Sequence, residues 1–495
     1  MKKKTWICLL IILILGIVLR LYDPTFRSLW GDEAHSVYSA LKFSLSNLLH
    51  DSHFPIYFLL LSFWINLFGC AEYTLRLFSI LIGISSLVIF YLIAKEWFDD
   101  EVGLIALFLL ATSPLAIMHS QEIRMYGLLM MFSLLSCWTF WKLIQKQTLW
   151  GFVWYLIISV FLLFTHIYAC LIFICQMIYA FVRMICKKSD FRILASQVLV
   201  GVLVAPFFIK ILELNLMSVM QGTADMAFAV FPGCIKFILI YFVLTLGETM
   251  APWYFLFVIP AGLIVLTLLL KSLRDIRNNK LIGFLWVLIF VPIFIAAFVL
   301  KPTMPKYLIL ILPFFIMLLA IGLKNISNLY LRYFLLAVLV FCQLVSVKNY
   351  FSLQEYHNSN QIEPWRAVAA QIHQNSRSND IVLASNYFVV SRLLNYYLNI
   401  VGQTNCQVYD LETNKLNLND KTIKRIWFVT NIHDDRQFSS GYISSIRSIL
   451  EKHSKPMSVK KYIPYEATLV SKLPIKRHDA GSYRIIVELY NKRNY

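Results

Sequence analysis

Apolar residues along this chain gather into runs of about 17–22, the length a helix needs to cross roughly 30 Å of hydrocarbon at 1.5 Å per residue. Such runs occupy residues 5–22, 75–94, 102–118, 125–144, 149–165, 168–186, 193–212, 252–270, 281–300, 307–323 and 330–348. They predict about eleven transmembrane helices. Two further stretches, 54–68 and 233–246, are only about 14–15 residues long, which suits interfacial or re-entrant segments. If both crossed, the count would be about thirteen. After about residue 350 the long runs stop. A helix-like run over 363–374 precedes Asp380-Ile381-Val382-Leu383-Ala384, and Arg425-Ile426-Trp427-Phe428-Val429-Thr430 and Tyr483-Arg484-Ile485-Ile486-Val487-Glu488 read as strands. The expected fold is a polytopic α-helical membrane protein with a C-terminal extracytoplasmic α/β domain. The expected division is a transmembrane domain over 1–348 and a soluble domain over 349–495. No internal repeat or low-complexity segment interrupts it.

Composition agrees with the pattern. Of 495 residues, 59% are hydrophobic and 15% charged, which excludes an ordinary soluble globular protein. The formal charge of +18, from 45 Lys and Arg against 27 Asp and Glu, would suggest nucleic acid in a soluble domain. Here many basic residues sit in short loops between apolar runs, where they set orientation and meet anionic headgroups, so no nucleic-acid partner is expected. With the lysines after Met1 inside and neither short stretch crossing, the loops 142–146, 183–192, 271–280 and 324–332 all become cytoplasmic, and these are the most basic. If both crossed, the segment from 75 to about 231 would flip and put the 183–188 cluster outside, against that bias. The N-terminus is therefore expected in the cytoplasm, with the C-terminal domain outside the plasma or inner membrane. Met1-Lys2-Lys3-Lys4 and the run after it resemble a signal peptide. Bulky Leu19-Arg20-Leu21-Tyr22 offers no small-residue cleavage site, so an uncleaved first helix is expected. Of nine cysteines, Cys8, Cys137, Cys170, Cys175 and Cys342 lie in apolar runs and Cys406 in the tail, without a disulfide framework.

The first external loop, 23–53, contains Leu29-Trp30-Gly31-Asp32-Glu33-Ala34-His35. Adjacent carboxylates beside a membrane are costly unless paired or solvated, and such a group can serve as a general base or hold a divalent cation. Its plainer reading is a hydrated acid pair in a loop. Other polar groups gather on the same predicted face: His53 before the first short stretch, Glu122 and Arg124 between two runs, His166 between two more, and Lys306-Tyr307 opening another. Singly, each reads as a solvated helix end, an interfacial anchor or a snorkelling lysine. Together, a guanidinium fork and an ammonium suit a lipid phosphate, and carboxylates beside them suit deprotonation of a hydroxyl. That combination describes glycosyl transfer with a lipid phosphate as leaving group.

At these residues the chain resembles the membrane glycosyltransferases of the GT-C superfamily, specifically the family 39 group of dolichyl-phosphate-mannose protein mannosyltransferases and bacterial aminoarabinose transferases. The matching pieces are Leu29-Trp30-Gly31-Asp32-Glu33-Ala34, His53-Phe54-Pro55-Ile56-Tyr57-Phe58-Leu59-Leu60 and Thr74-Leu75-Arg76-Leu77-Phe78-Ser79. Next come Ser120-Gln121-Glu122-Ile123-Arg124-Met125-Tyr126, Thr165-His166-Ile167-Tyr168, Met304-Pro305-Lys306-Tyr307-Leu308 and Trp365-Arg366. The resemblance implies that Asp32 is the catalytic base or acceptor-orienting carboxylate, assisted by Glu33. It places His53, Glu122, Arg124, Tyr126, His166, Lys306 and Tyr307 around the donor and its phosphate. Phe54 stands where the family has the first of consecutive prolines, and Lys306 where it often has arginine. The implied donor is a polyprenyl-phosphate monosaccharide, and the acceptor a lipid, glycan or protein. Members differ over metal need, and no ligand set here decides whether a divalent metal is used. The C-terminal domain reads equally as an acceptor-binding module or as a cap.

A transporter or flippase of lipid-linked sugars is the alternative class. Transporters place polar groups near the bilayer midplane on broken helices and show internal repeats, whereas these charges lie at helix ends and the halves do not match. A lipid-to-polymer ligase would be expected to carry its chemistry in a later, large external loop.

Overall fold

The computed structural model describes residues 3–44, 54–186, 191–220, 231–300, 304–354, 363–385, 387–402, 407–410, 423–431, 444, 447–451, 456–462 and 485–491. The chain forms two compact units. The first comprises Met1–Pro24, Phe43–Leu61 and Arg76–Tyr350, and the second Thr25–Lys42, Ser62–Leu75 and Phe351–Tyr495.

Each of the eleven long apolar runs is helical. In chain order the helices of this region are α1 (Lys3–Leu21), α2 (Gly31–Leu41), α3 (Ile56–Phe68), α4 (Glu72–Trp97), α5 (Asp100–Thr112) and α6 (Pro114–Gln121). They continue with α7 (Tyr126–Gln145), α8 (Leu149–Leu163), α9 (Ala169–Ile185), α10 (Arg192–Met220) and α11 (Gly233–Leu246). The last are α12 (Phe255–Ser272), α13 (Lys280–Phe294), α14 (Leu312–Lys324) and α15 (Leu329–Phe351). Among the described residues, eight helices are long and apolar enough to cross a membrane, or nine if the pair α5 and α6, bent by 57°, is one span. Two more predicted crossings are α8 and α9, of 15 and 17 residues. The bend falls at Ser113-Pro114, where the serine hydroxyl accepts from the Ala116 amide and proline takes the first position of the new helix.

The bundle has two chemically distinct ends. At one, Asp99 caps α5 by accepting from the Val102 amide (3.0 Å) and pairs with Lys324. There too Arg332 pairs with Glu101, Lys142 with Glu96 (3.3 Å), and the Asn325 amide donates to Asp275 (2.6 Å). At the other end lie the C-termini of α1 and α6 and the end of α15, tied together through Gln121. The short helix α11 has both its termini toward this second end. The Cα of Gly233 packs on Phe298 just beyond α13, and Ser346 near the end of α15 donates to the Leu246 carbonyl. α3 likewise starts there, with the Ile56 amide donating to the Phe164 carbonyl at the end of α8 (3.3 Å).

Within the bundle, polar side chains bond across helices, as the absence of water in hydrocarbon requires. Tyr155 of α8 donates to Gln176 of α9 (2.8 Å), whose amide donates to Ser136 of α7 (3.0 Å). α12 and α14 approach closely, so that a β-carbon at Gly322 would stand 2.1 Å from the Leu268 carbonyl oxygen.

The second unit carries helix α16 (Trp365–Asn375) and a five-stranded sheet: β1 (Asp380–Ala384), β2 (Gln407–Asp410), β3 (Arg425–Asn431), β4 (Ser458–Tyr462) and β5 (Ile485–Asn491). The order is β2-β1-β3-β5-β4. β1 pairs parallel with both neighbours, and the other pairings are antiparallel. β1 and β3 are buried along their full length, so they read as continuous apolar runs. Where they start, Arg425 grips Asp380 with a fork (3.0 and 2.6 Å) and Trp427 donates to the same carboxylate (3.1 Å). The unit also takes in two stretches from before residue 349, one of them carrying α2.

Because the obstacle at Gly322 is backbone rather than a movable side chain, Gly322→Ala should force α12 and α14 apart. The expected cost is about 1–3 kcal/mol, read as a lower melting temperature of the detergent-solubilised protein.

Candidate functional site

In the first unit, the sequence between α6 and α7 is a four-residue break, Glu122 to Met125, with Glu122 in an extended conformation (φ −88°, ψ 135°). Its position is fixed from several sides. Arg76, fully buried, donates to the Gln121 carbonyl (2.8 Å). The Gln121 amide donates to the carbonyls of Arg20 (3.0 Å) and Tyr22 (2.9 Å), and Tyr350 donates to its oxygen (3.0 Å). Arg20, also fully buried, spends its guanidinium on the carbonyls of Gly16, Ala111 and Leu110 (3.0–3.3 Å). A charged donor in so apolar a setting persists only when its hydrogen bonds are supplied.

This break presents a charged, aromatic cluster centred on Tyr126. The His119 Nδ1 lies 2.5 Å from the Glu122 Oε2, both side chains being fully buried. The His119 ring is 4.8 Å from that of Tyr126, His166 is 6.0 Å away, and Tyr307 stacks on it at 6.2 Å. Two cations approach the same ring, Arg124 with its Cζ at 5.9 Å and Lys306 with its Nζ at 5.5 Å from the centroid. Tyr168 and His166 pack on Tyr307 at 5.0 and 5.2 Å. Arg124, Lys306, Glu122 and Glu248 are all buried, and the two glutamates supply negative charge around the lysine. The charges balance, which is what allows so many to be buried together.

The structure therefore brings together Glu122, Arg124, Tyr126, His166, Lys306 and Tyr307. His53 lies outside the described residues. Beside it, Phe54 is buried against the rings of Phe207 and Phe208 at 6.2 and 5.9 Å. Sequence reasoning missed His119, Glu248, Arg20 and the positioning of Gln121. The signals were there: a lone arginine inside an apolar run, a histidine three residues before Glu122, and an acid two residues after a short apolar helix.

In the second unit, α2 carries Asp32 and Glu33 in its first turn. Glu33 is fully buried and its Oε2 accepts from the Trp30 amide (3.3 Å), which makes it a helix-capping carboxylate. Asp32 is partly exposed, and its backbone carbonyl accepts from the Ser36 hydroxyl (3.0 Å). Trp365 is fully buried and donates to Glu363 (2.9 Å), and Arg366 pairs with Glu72 (2.8 Å). Among the described residues no three His, Cys, Asp or Glu side chains gather to hold a metal ion.

The sequence pattern of the dolichyl-phosphate-mannose-protein mannosyltransferase family matches residues 52–210. YkcB of Bacillus subtilis, which carries the name of a mannosyltransferase, is 25% identical over 163 residues, 30% of this chain. The match spans only 22% of that protein's length. Among solved structures, ArnT from Cupriavidus metallidurans superimposes with a TM-score of 0.60 at 12% identity, covering 99% of this chain and 98% of that one. The same enzyme bound to undecaprenyl phosphate gives 0.58 at 13% identity, covering 98% of each chain. The Archaeoglobus fulgidus oligosaccharyltransferase with zinc and sulfate gives 0.53 at 13% identity, covering 86% of this chain and 68% of that one. The chain is a multi-pass membrane protein with the fold of the GT-C glycosyltransferases.

Gln121 holds the break through three side-chain hydrogen bonds. Gln121→Ala should cost about 2–3 kcal/mol, measured by thermal unfolding, where an unchanged melting temperature would argue against this anchoring role.

Proposed function

We propose that this GT-C-fold membrane protein moves a monosaccharide from a polyprenyl-phosphate carrier to a lipid, glycan or protein acceptor at the outer face of the cell membrane. The observation that carries the reading is the approach of two buried cations, Arg124 and Lys306, to the one Tyr126 ring, with Glu122 and Glu248 supplying negative charge around the lysine. A fork and a point charge at that depth suit the phosphate of a membrane-held isoprenoid. The fold neighbour bound to undecaprenyl phosphate supports this class of carrier.

In the reaction, an acceptor hydroxyl attacks the anomeric carbon as the bond from that carbon to the phosphate oxygen breaks. The electron pair leaves with the phosphate, whose growing charge Arg124 and Lys306 stabilise. His166, Tyr126 and Tyr307 line the donor beside it. Asp32 takes the hydroxyl proton, and Glu33 assists by keeping the turn that bears Asp32 capped. The soluble domain over 349–495 lies outside the cell membrane, on the side where this chemistry takes place. The outer face follows from the basic residues at the opposite end, Lys142, Lys271, Lys324 and Arg332, which the positive-inside bias places in the cytoplasm.

Purified protein offered a panel of radiolabelled polyprenyl-phosphate hexoses and pentoses should transfer sugar from at least one. Lys306→Ala and Arg124→Ala should each lower kcat by about 10²–10³, and Asp32→Asn by about 10²–10⁴. Full activity in Asp32→Asn would remove the base assignment. No transfer from any donor, with lipid-linked sugar crossing reconstituted vesicles instead, would favour a flippase. For orientation, single cysteines at Tyr22 and Ser327 in intact cells should react with an impermeant maleimide only at position 22, and the reverse pattern would invert the topology.

A further inference from the structure

The part of the second unit that follows the membrane helices does more than cover a loop, because its side chains hold the helix that bears Asp32. Two short helical turns, Tyr387–Ser391 and Arg392–Asn395, pack against α2, and a third, Tyr396–Val401, reaches the segment leading into it through Tyr397. Just before the helix, the Leu29 amide donates to the Tyr397 hydroxyl (2.7 Å), which in turn donates to the Glu72 carboxylate (3.1 Å). That carboxylate also receives Arg366 (2.8 Å), whose same nitrogen reaches the Thr25 carbonyl (2.9 Å), while the Arg366 amide donates to the Ser28 hydroxyl (3.1 Å). The stretch from Thr25 to Leu29 is thus tied down at both ends.

The helix itself is held on either side of Asp32. At Gly31 a β-carbon would meet Val389 at 3.0 Å, so the first turn lies directly against the Tyr387–Ser391 turn. One turn further on, Arg392 donates to the His35 Nδ1 (2.7 Å) and sits 5.9 Å from the Tyr38 ring. Arginine can only donate, so the imidazole nitrogen facing it is the acceptor. Both contacts flank the one partly exposed carboxylate of the turn.

We infer that Tyr397, Arg392 and Arg366 are positioning residues for Asp32, and that the C-terminal segment is a working part of the catalytic apparatus. The inference rests on the reading of Asp32 as the base. A side chain displaced by about 1 Å loses on the order of 100-fold in rate, so loosening this helix should act on turnover rather than on carrier binding.

The test combines hydrogen exchange with kinetics on the full-length protein in nanodiscs. Tyr397→Phe and Arg392→Ala should speed exchange of peptides covering residues 25–41 about tenfold, the factor one lost hydrogen bond gives. Exchange in β3 should stay unchanged, which reports an intact sheet. The same variants should lower kcat about 10- to 100-fold with KM for the polyprenyl-phosphate sugar within about twofold. His35→Asn, which keeps an acceptor facing Arg392, should retain most of the turnover that His35→Phe loses. Unaltered exchange over 25–41, or a change in KM alone, would overturn the inference. If the wild-type protein transferred no sugar, the functional reading would fail, and exchange over 25–41 would still decide whether these side chains hold the helix.

Discussion

A charge inside a lipid-embedded bundle has no water to solvate it, and everything described at the candidate site depends on how that demand is met. Arg20 and Arg76 are fully buried, and each is directed at backbone carbonyls close to Gln121 or the helix before it. Arg76 holds the end of α6 and Arg20 the end of α5 before it, and with them the short break that presents Glu122 and Arg124. Two further charges, Lys306 and Glu248, reach the same place from distant parts of the sequence. A cluster assembled in this way is rigid before any ligand arrives, which is the property electrostatic catalysis requires, since no reorganisation is left for the moment of reaction.

The two carboxylates of α2 differ in their surroundings. Glu33 is buried and engaged by the Trp30 amide, and its loss would leave an orphan donor at the helix start. Asp32 faces partly into solvent. The neighbour in sequence thus caps the turn that carries the proposed base. Around Tyr126, Glu122 and Glu248 supply negative charge to Lys306, and Glu122 is itself held by His119.

The membrane helices were legible because hydropathy over about 20 residues is a strong signal, and β1 and β3 because buried parallel strands read as unbroken apolar runs. Other features were not. The bend at Pro114 is hidden inside one continuous apolar run, since proline interrupts hydrogen bonding without changing hydropathy. β2 is four residues long and β4, Ser-Val-Lys-Lys-Tyr, is mostly exposed, so neither shows alternation or an apolar stretch. The capping role of Glu33 was obscured by a tryptophan where serine or threonine normally precedes such a glutamate. His119 and Glu248 were overlooked because each lies beside a helix end that looked complete without it.

The placement of α11 has a consequence for the parity of the chain. Both its termini meet the Gln121 end of the bundle, and α3 begins there as well. Leaving them out keeps the number of predicted crossings at eleven, an odd number, which would set residue 3 and residue 350 in opposite compartments. With the N-terminus in the cytoplasm, as proposed, everything translated after α15 would have to be exported before it could fold, and the strands of the sheet would pair only on the far side of the bilayer from the ribosome.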